Sequence, residues 1–192
     1  TGLLIVGVGK ATKELGRITK LPKTYEAEVI FGARSTTDDA EGKITQGIRQ
    51  EAVGSREPAQ QDVERALQSF MDDIEQVPPV YSAVKVRGIP AYRRARRGET
   101  VSLPSRRVTV YEAKLLSYTY PHARIRWTVS SGTYIRSLTR DLGEILRTGA
   151  YLSALRRTTI GPFTIQEAQT VENIVSATLC STSEFLSRLA GA

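Results

Sequence analysis

Alternation of apolar and polar residues, with Ile30 as an exception, is the feature that most constrains the fold of this chain. Apolar side chains recur at every second position in residues 25–31, and again in residues 108–110 and 125–129. A period of two is typical of strands that bury one face only. Tyr120, Pro121 and His122 lie between the second and third runs and indicate a hairpin connection. The pattern therefore predicts antiparallel strands with one buried face.

Two other segments have apolar residues at helical spacing. Residues 59–75 follow Pro58 and end before a pair of prolines, which predicts an amphipathic helix with an extended exit. Residues 134–147 predict a second helix, with Gly149 as its cap. Residues 3–8 are strand-like. Because strands and helices alternate without a regular βαβ rhythm, we expect a mixed α/β (α+β) fold, with helices flanking a largely antiparallel sheet.

Composition limits the chemistry that the chain can carry. The 192 residues, 40% of them hydrophobic, suffice for one domain with a sizeable core, and no apolar stretch is long enough to span a bilayer. Cys180 and His122 are the only residues of their types, which excludes an intramolecular disulfide and zinc sites built from Cys and His. We expect no metal and a reducing, cytoplasmic setting. The abrupt start at Thr1, without a leader, suggests that a preceding piece of the domain is missing.

Charge is distributed unevenly along the chain. Residues 1–75 carry 10 basic and 13 acidic side chains, whereas residues 76–192 carry 17 and 7, and 20 of the 27 cations are arginines. A high arginine content indicates a nucleic-acid partner, because the planar guanidinium donates two hydrogen bonds to a phosphate and stacks on bases. The basic segment, residues 85–97, is the densest part and interleaves with Tyr81 and Tyr92; its cations are Lys85, Arg87, Arg93, Arg94, Arg96 and Arg97. It fits an RNA backbone, and the alternative is a solvated basic face.

Other candidate residues are ambiguous from the sequence alone. Asp38, Asp39 and Glu41 could be paired acids, but acids followed by glycine after a strand are also typical of a turn. Arg136 follows small residues at a strand-to-helix transition, where it could face a polyanion or a buried carboxylate, or the segment could simply cap the helix. His122 follows Pro121 in the hairpin connection, without a nearby nucleophile, which favours a surface role.

Five blocks stand in order along residues 1–163. They are TGLLIVGVGKAT, LPKTYEAEVIFGARSTTDDAEG, QVPPVYSAVKVRGIPAYRRARRG, VSSGTYIRSLTRDLG and YLSALRRTTIGPF. Together they resemble the bacterial tRNA pseudouridine-55 synthase family (TruB type). The resemblance implies a mixed α/β catalytic fold that isomerises one uridine of the tRNA T loop to pseudouridine, without cofactor or metal.

The resemblance also implies roles for individual residues. The family's essential Asp stands in a GTLDPxATG motif of which Thr1 and Gly2 match only the end, so the nucleophile would lie about four positions upstream. Tyr25 matches the tyrosine that stacks on the target base and is thought to help remove its C5 proton. Tyr134 and Arg136 match the GTYIR residues that contact the uridine and pair with the essential Asp. Leu155 matches the leucine that closes the uracil pocket.

These implications extend to domains and partners. Residues 1–163 would form the catalytic domain without its N-terminal segment, and residues 164–192 a short C-terminal extension, the start or a remnant of an RNA-binding domain. The partner would be the T stem-loop of tRNA, held by the basic segment, and we expect a monomer. The chain as given is expected to bind RNA without turnover.

We expect Asp39, in the turn that follows the Tyr25 strand, to lie near Arg136 and join its ion-pair network. A non-catalytic RNA-binding module, or a degenerate paralogue, would need only the basic surface. An RNA-guided relative acting on other RNAs would need protein partners and a larger C-terminal domain.

Overall fold

The computed structural model describes residues 1–46, 57–176 and 180–191. The α-helices are α1 (Leu15–Ile18), α2 (Gln60–Gln68), α3 (Ala91–Arg96), α4 (Ile135–Ile145) and α5 (Thr182–Ala190). The strands are β1 (Lys23–Phe31), β2 (Ala33–Ser35), β3 (Ile44–Gln46), β4 (Asp72–Gln76), β5 (Lys85–Val86), β6 (Ile89–Pro90), β7 (Arg106–Thr119), β8 (His122–Val129), β9 (Ala150–Ile160) and β10 (Phe163–Thr164). Short 3-10 helices cover Gly9–Glu14, Ile165–Glu167 and Val171–Ser176.

Six strands form one sheet in the order β10-β9-β1-β8-β7-β4, and every neighbouring pair is antiparallel. The predicted hairpin is confirmed, because β7 and β8 pair across the Tyr120–Pro121 connection. Strand β1 lies between β8 and β9, so Tyr25 is opposite Trp127 on one side and Arg157 on the other. The mixed α/β class with a largely antiparallel sheet is confirmed.

One face of the sheet carries the main core. Ala27, Val29 and Phe31 are buried at alternating positions of β1, and Trp127 is fully buried beside them on β8. Helices α2 and α4 cover this face. Burying each large apolar side chain contributes about 1.5–3 kcal/mol, so this face dominates the stability of the domain. The opposite face is polar, and Glu26 pairs there with Arg124 and Arg126, each at 3.2 Å.

A second, smaller apolar cluster joins the two ends of the described chain. Its buried members are Leu3, Ile18, Ile160 and Phe163. Phe185 of α5 stacks on Phe163 with ring centroids 5.2 Å apart. The C-terminal helix therefore packs against the same cluster that buries Leu3.

The predicted helix over residues 59–75 is too long. The helix ends at Gln68, and residues 72–76 instead form β4, which pairs with β7. Phe70 is buried and Ile74 packs against the main core, as a helix would also have had them do. The spacing of these residues fits either period, and a partner strand more than 30 residues along the chain decides between them.

The predicted strand over residues 3–8 is also wrong. Gly2 alone forms a bridge there, with Arg157, and the chain then runs extended into the first 3-10 helix. Leu3 is buried in the second cluster, whereas Leu4 and Val6 are 72% and 70% exposed. The alternating burial of residues 3–6 therefore reflects one-sided packing of an extended segment rather than pairing in a sheet.

The cap of α4 differs from the prediction as well. Arg147 takes the left-handed conformation directly after the helix, with φ of 56°. The N–H of Arg147 donates to Glu144 and that of Thr148 donates to Gly143, which is the Schellman arrangement. Gly149 lies two residues beyond Arg147, and its N–H also donates to Gly143.

Candidate active site

Arg136 lies in the first turn of α4 and holds three acceptors from two other segments. Its Nη1 donates to the Asp39 carboxylate at 3.0 Å and to the Thr37 carbonyl at 3.2 Å. Its Nη2 donates to the Tyr81 carbonyl at 2.9 Å. Both side chains of the Arg136–Asp39 ion pair are about four-fifths buried, with 23% and 21% exposure. A guanidinium so held presents a fixed positive charge at the beginning of the helix.

Asp39 serves the turn and the ion pair together. Its Oδ1 accepts from the Thr37 hydroxyl and from the Glu41 N–H, while its Oδ2 faces Arg136. The turn is fastened to the sheet, because the Leu152 N–H donates to the Asp38 carbonyl at 3.0 Å. The predicted proximity of Asp39 and Arg136 is present in the structure, and Asp39 takes part in both the turn and the ion pair.

Tyr134 is fixed through its backbone by Gln76 at the end of β4. The Gln76 side chain accepts from the Tyr134 N–H at 2.8 Å and donates to the Tyr134 carbonyl at 3.1 Å. Gln76 is fully buried. Arg106 lies over the Tyr134 ring, with 4.6 Å from the guanidinium carbon to the ring centroid, and also donates to the Gly132 carbonyl. The ring is thus held on one side by a cation.

Tyr25 and Leu155 lie on the sheet face that α4 covers. Tyr25 is opposite Trp127, and Leu155 is opposite Ala27, both of which belong to the main core. Tyr25 and Leu155 are partly buried and pack against that core. Tyr25 and Leu155 therefore lie on the face covered by α4, the helix that begins after Tyr134 and carries Arg136 in its first turn.

The beginning of the chain lies directly against Leu155. The Thr1 amino group donates to the Leu155 carbonyl at 2.9 Å, and the Arg157 guanidinium donates to the Leu3 carbonyl at 2.7 and 2.9 Å. Gly2 has φ of 108°, and a Cβ there would lie 2.3 Å from the Arg157 carbonyl oxygen. Only glycine fits so close to the Arg157 backbone, so Gly2 fixes how the first residues of the chain lie along β9.

Lys23 fastens the strand that carries Tyr25. Its ammonium donates to the carbonyls of Ile18, Thr19 and Leu21 at 3.2, 2.6 and 2.7 Å. Burial, and then the charge of Arg157, lower the pKa of Lys23. The end of α1 is thereby tied to the first residue of β1.

Asp38 and Arg140 form another ion pair beside Arg136. Arg140 donates to Asp38 at 3.2 Å, to Asp141 at 2.9 Å and to the Val77 carbonyl at 3.1 Å. Burial raises the pKa of Asp38, although Arg140 and then Arg136 act to lower it. Burial likewise raises the pKa of Asp141 against the effect of Arg140.

The basic segment forms a small hairpin, β5 with β6, followed by α3. Arg93 and Arg96 lie over the Tyr92 ring at 6.0 and 5.6 Å. Arg94 pairs with Glu99 at 3.1 Å and is only 24% exposed, so Glu99 partly neutralises its charge. The Tyr81 carbonyl, just before this segment, is the one that Arg136 holds.

Sequence reasoning missed the residues that position these side chains. Gln76, Arg106 and Arg140 contact groups distant in sequence, whereas Lys23 contacts carbonyls two to five residues before it. No sequence pattern marked them, and Gln76 directly follows the segment that was predicted to be a helix. The part of the chain that the structure describes contains no cluster of three His, Cys, Asp or Glu side chains suited to a metal ion. Over the same residues, no helix has the length and apolar character needed to cross a membrane.

Comparisons with known proteins agree on one family. Residues 1–135 match the model of the TruB family pseudouridylate synthase N-terminal domain, and residues 136–189 match that of the tRNA pseudouridylate synthase B C-terminal domain. The chain is 47% identical over 184 residues to tRNA pseudouridine synthase B of Thermobifida fusca (strain YX), covering 92% of this chain and 61% of the relative. It is 44% identical over 176 residues to the protein of that name from Xanthomonas campestris pv. campestris (strain 8004), covering 92% and 56%. The chain thus spans about three-fifths of these relatives.

Solved structures have the same fold. A chain in the crystal structure of a Cbf5-Nop10-Gar1 complex superposes with a TM-score of 0.65 at 26% identity, covering 91% of this chain and 41% of that one. A chain in the structure of an H/ACA RNP bound to a substrate RNA containing 2'-deoxyuridine has a TM-score of 0.60 at 22% identity, covering 88% and 38%, and shares the fold.

Proposed function

Because the chain belongs to the TruB family of pseudouridylate synthases, we propose that it carries the uridine pocket of an enzyme that converts a uridine of the tRNA T loop, position 55, to pseudouridine. The observation that carries the proposal is the Arg136–Asp39 ion pair, in the first turn of the helix that covers the sheet face with Tyr25 and Leu155. The names of the relatives support tRNA as the substrate.

The proposed reaction needs three things of the protein. The bond between C1′ and N1 of the uridine breaks, the freed uracil turns, a bond forms between C1′ and C5, the C5 proton leaves and N1 gains a proton. A carboxylate that has attacked C1′ is released as the C1′–C5 bond forms. A carboxylate must stabilise or attack C1′, walls must hold the freed base, and a group must accept the proton. We assign the walls to Leu155, Tyr134 and Tyr25, and the proton transfer to Tyr25.

Arg136 would keep the attacking carboxylate ionised. A carboxylate against apolar walls tends to take up a proton, and an adjacent guanidinium opposes this by favouring the charged form. Arg136 is bonded to Asp39 and to two carbonyls, so its direction is fixed before substrate binds. We assign Asp39 the role of holding Arg136 in that direction.

We place the attacking carboxylate on residues N-terminal to Thr1. The backbone hydrogen bonds of Thr1 and Leu3 with Arg157 support this, because residues joined to Thr1 would then lie beside β9, the strand that carries Leu155. The chain by itself would then bind RNA without turnover. Residues 1–163 would act as the catalytic domain and residues 164–192 as the extension towards an RNA-binding domain.

Reaching the target requires flipping the nucleotide out of the stacked loop. Unstacking costs a few kcal/mol, which stacking on Tyr25 would partly offset. The basic segment would hold the RNA backbone, through Lys85, Arg87, Arg93, Arg94, Arg96 and Arg97. We propose that the protein acts as a monomer on the T stem-loop, in the cytoplasm where tRNA is modified, and without metal or cofactor.

Mapping the product tests this proposal. The protein with its native upstream residues is incubated with an unmodified tRNA transcript, and pseudouridine is located by carbodiimide modification and primer extension. We expect one new stop, at the T-loop uridine, and none when that uridine is replaced by cytidine. Stops elsewhere would point to another RNA, and no stop at all would favour a binding module.

A further inference from the structure

The turn after β2 meets α4 through two ion pairs in a fixed register. Asp38 and Asp39 are neighbours in the turn, and Arg136 and Arg140 lie one helical turn apart on α4. Asp39 pairs with Arg136 at 3.0 Å and Asp38 pairs with Arg140 at 3.2 Å. Because residues four apart on a helix share one face, Arg136 and Arg140 both face the turn, and Arg136 acts on Asp38 as well as pairing with Asp39.

Asp38 is the carboxylate most able to draw Arg136 away from Asp39. Its side chain is 18% exposed, so little water stabilises its charge when it lacks a partner. Arg136 already acts on Asp38 electrostatically, as the second of the two cations that favour its charged form. Unpaired charges in such surroundings are costly, so an orphaned Asp38 would take the nearest guanidinium.

Arg140 prevents this exchange by occupying Asp38. Its remaining donors bind Asp141 and the Val77 carbonyl, which hold it in place from its own helix and from the segment after β4. Ser137 donates to the same Val77 carbonyl at 2.8 Å. Arg140 is therefore anchored independently of Arg136.

We propose that Arg140, by pairing with Asp38, keeps Arg136 on Asp39; the pairing of Asp39 with Arg136 and of Asp38 with Arg140 is the register of this contact. Arg140 is a positioning residue for Arg136, and neither Asp38 nor Arg140 is assigned a contact with substrate or the reacting atoms. Asp38 has φ of 62°, a conformation in which Asp and Asn are among the few side chains tolerated, so Asp38→Asn removes the charge without disturbing the turn. The catalytic consequence rests on the proposed function.

The test compares three variants of the full-length protein, Arg140→Gln, Asp38→Asn and the double variant, in single-turnover assays of tRNA modification. Arg140→Gln leaves Asp38 free to capture Arg136, and we expect the rate at saturating RNA to fall about tenfold, the equivalent of one misplaced contact, with RNA affinity unchanged. The double variant has no competing carboxylate, and its rate returns to within about threefold of the parent. A double variant as slow as Arg140→Gln, or slower, would overturn the proposal.

Two controls separate the register from general stability. Thermal melting is measured for every variant, since a purely structural pair would change the melting temperature without rescuing the rate. The exposed pair Arg107–Asp73, at 2.6 Å between β7 and β4, provides Arg107→Gln and Asp73→Asn, which we expect to leave the rate unchanged.

A structural measurement, which does not depend on catalytic activity, tests this proposal separately from the proposed function. A crystal structure of Arg140→Gln is expected to show Arg136 on Asp38 rather than on Asp39. Arg136 still on Asp39 would refute the register, whatever the rates. Inactivity of the parent protein on tRNA would count against the proposed function alone, and the crystal structure would still decide the register.

Discussion

At the scale of single residues, Asp39 shows how one side chain can satisfy a turn and a site together. Its Oδ1 closes the turn through Thr37 and Glu41, and its Oδ2 holds Arg136. The two oxygens have different tasks, so an amide replacement keeps much of the turn and loses the charge. The site and the turn can therefore be separated by mutation.

We predict that Asp39→Asn in the full-length protein lowers the turnover rate about 10- to 100-fold, the effect of losing one partly buried charged hydrogen bond. Steady-state tritium release from tRNA labelled at uridine C5 measures it. Glu41→Gln, an exposed acid in the same turn, is the matched control and should stay near the parent rate. Equal rates for the two variants would return Asp39 to a turn residue only.

The Arg140→Gln defect should depend on pH in a defined direction. Asp38 is faced by Arg140, Arg136 and Asp141 on α4, with Asp39 beside it in the turn, and burial raises its pKa. Protonated Asp38 cannot compete for Arg136, so the ratio of variant to parent rate rises towards one as pH falls through the raised pKa. Above that pKa the defect is complete. A ratio independent of pH, or one that falls with pH, would contradict this account.

At the scale of elements, the end of β4 determines where α4 begins. Gln76 bonds both backbone groups of Tyr134 from a fully buried position. Ser137 and Arg140 bind the next carbonyl, that of Val77, and Arg136 binds that of Tyr81. The segment leading to the basic residues is thus docked along the helix that carries Arg136.

We predict that Gln76→Met lowers the free energy of unfolding by about 2–3 kcal/mol, because the Tyr134 N–H and carbonyl lose their buried partner. Urea denaturation measures the change. Gln60→Met, on the exposed side of α2, is the same substitution without the buried contact and should stay within about 0.5 kcal/mol of the parent. A Gln76 variant as stable as the Gln60 variant would show that this contact adds little.

The sequence correctly predicted those elements in which the spacing of apolar residues fits a strand or a helix but not both. Strand β1, the β7–β8 hairpin and helix α4 follow from alternation or helical spacing, and all three are present. Residues 72–76 fit both periods, and only pairing with β7 makes them a strand. Gln76, Arg106 and Arg140 act on residues that the chain brings together through the sheet, so no local pattern could identify them. Family motifs pointed to the roles of Tyr25, Tyr134, Arg136 and Leu155. Periodicity placed Tyr25 on a strand but assigned none of the four a role.

At the scale of the whole molecule, the basic segment is connected to Arg136 by a direct contact of the chain that precedes it. The acidic first part of the chain supplies β1 and the turn that holds Arg136, while the arginine-rich second part supplies α4 and the basic segment. The Tyr81 carbonyl joins the beginning of the basic segment to Arg136. RNA held by that segment would therefore be fixed relative to the pocket.

We predict that the triple variant Arg93→Gln, Arg96→Gln and Arg97→Gln binds tRNA with a weaker dependence on salt. The negative slope of the logarithm of the tRNA binding constant against the logarithm of salt concentration should decrease in magnitude by about 2–3, because each lost phosphate contact removes about 0.7–0.9. Filter binding of a tRNA transcript at several salt concentrations measures it. Arg17, Arg65 and Arg107 are exposed by 64%, 79% and 73% and lie elsewhere, so their triple Gln variant is the control. Equal slopes for the two triple variants would remove the basic segment from the RNA interface.

Tritium release from a tRNA transcript labelled at uridine C5 tests the central claim most directly, with this chain compared with the same chain carrying its native upstream residues. The account predicts release from the extended chain alone, and loss of that release in Arg136→Gln. Release by the chain as given would contradict the placement of the nucleophile before Thr1 and make Asp39 the first carboxylate to test. Silence from both chains, with tRNA bound, would contradict the assignment of a uridine isomerase and favour an RNA-binding module.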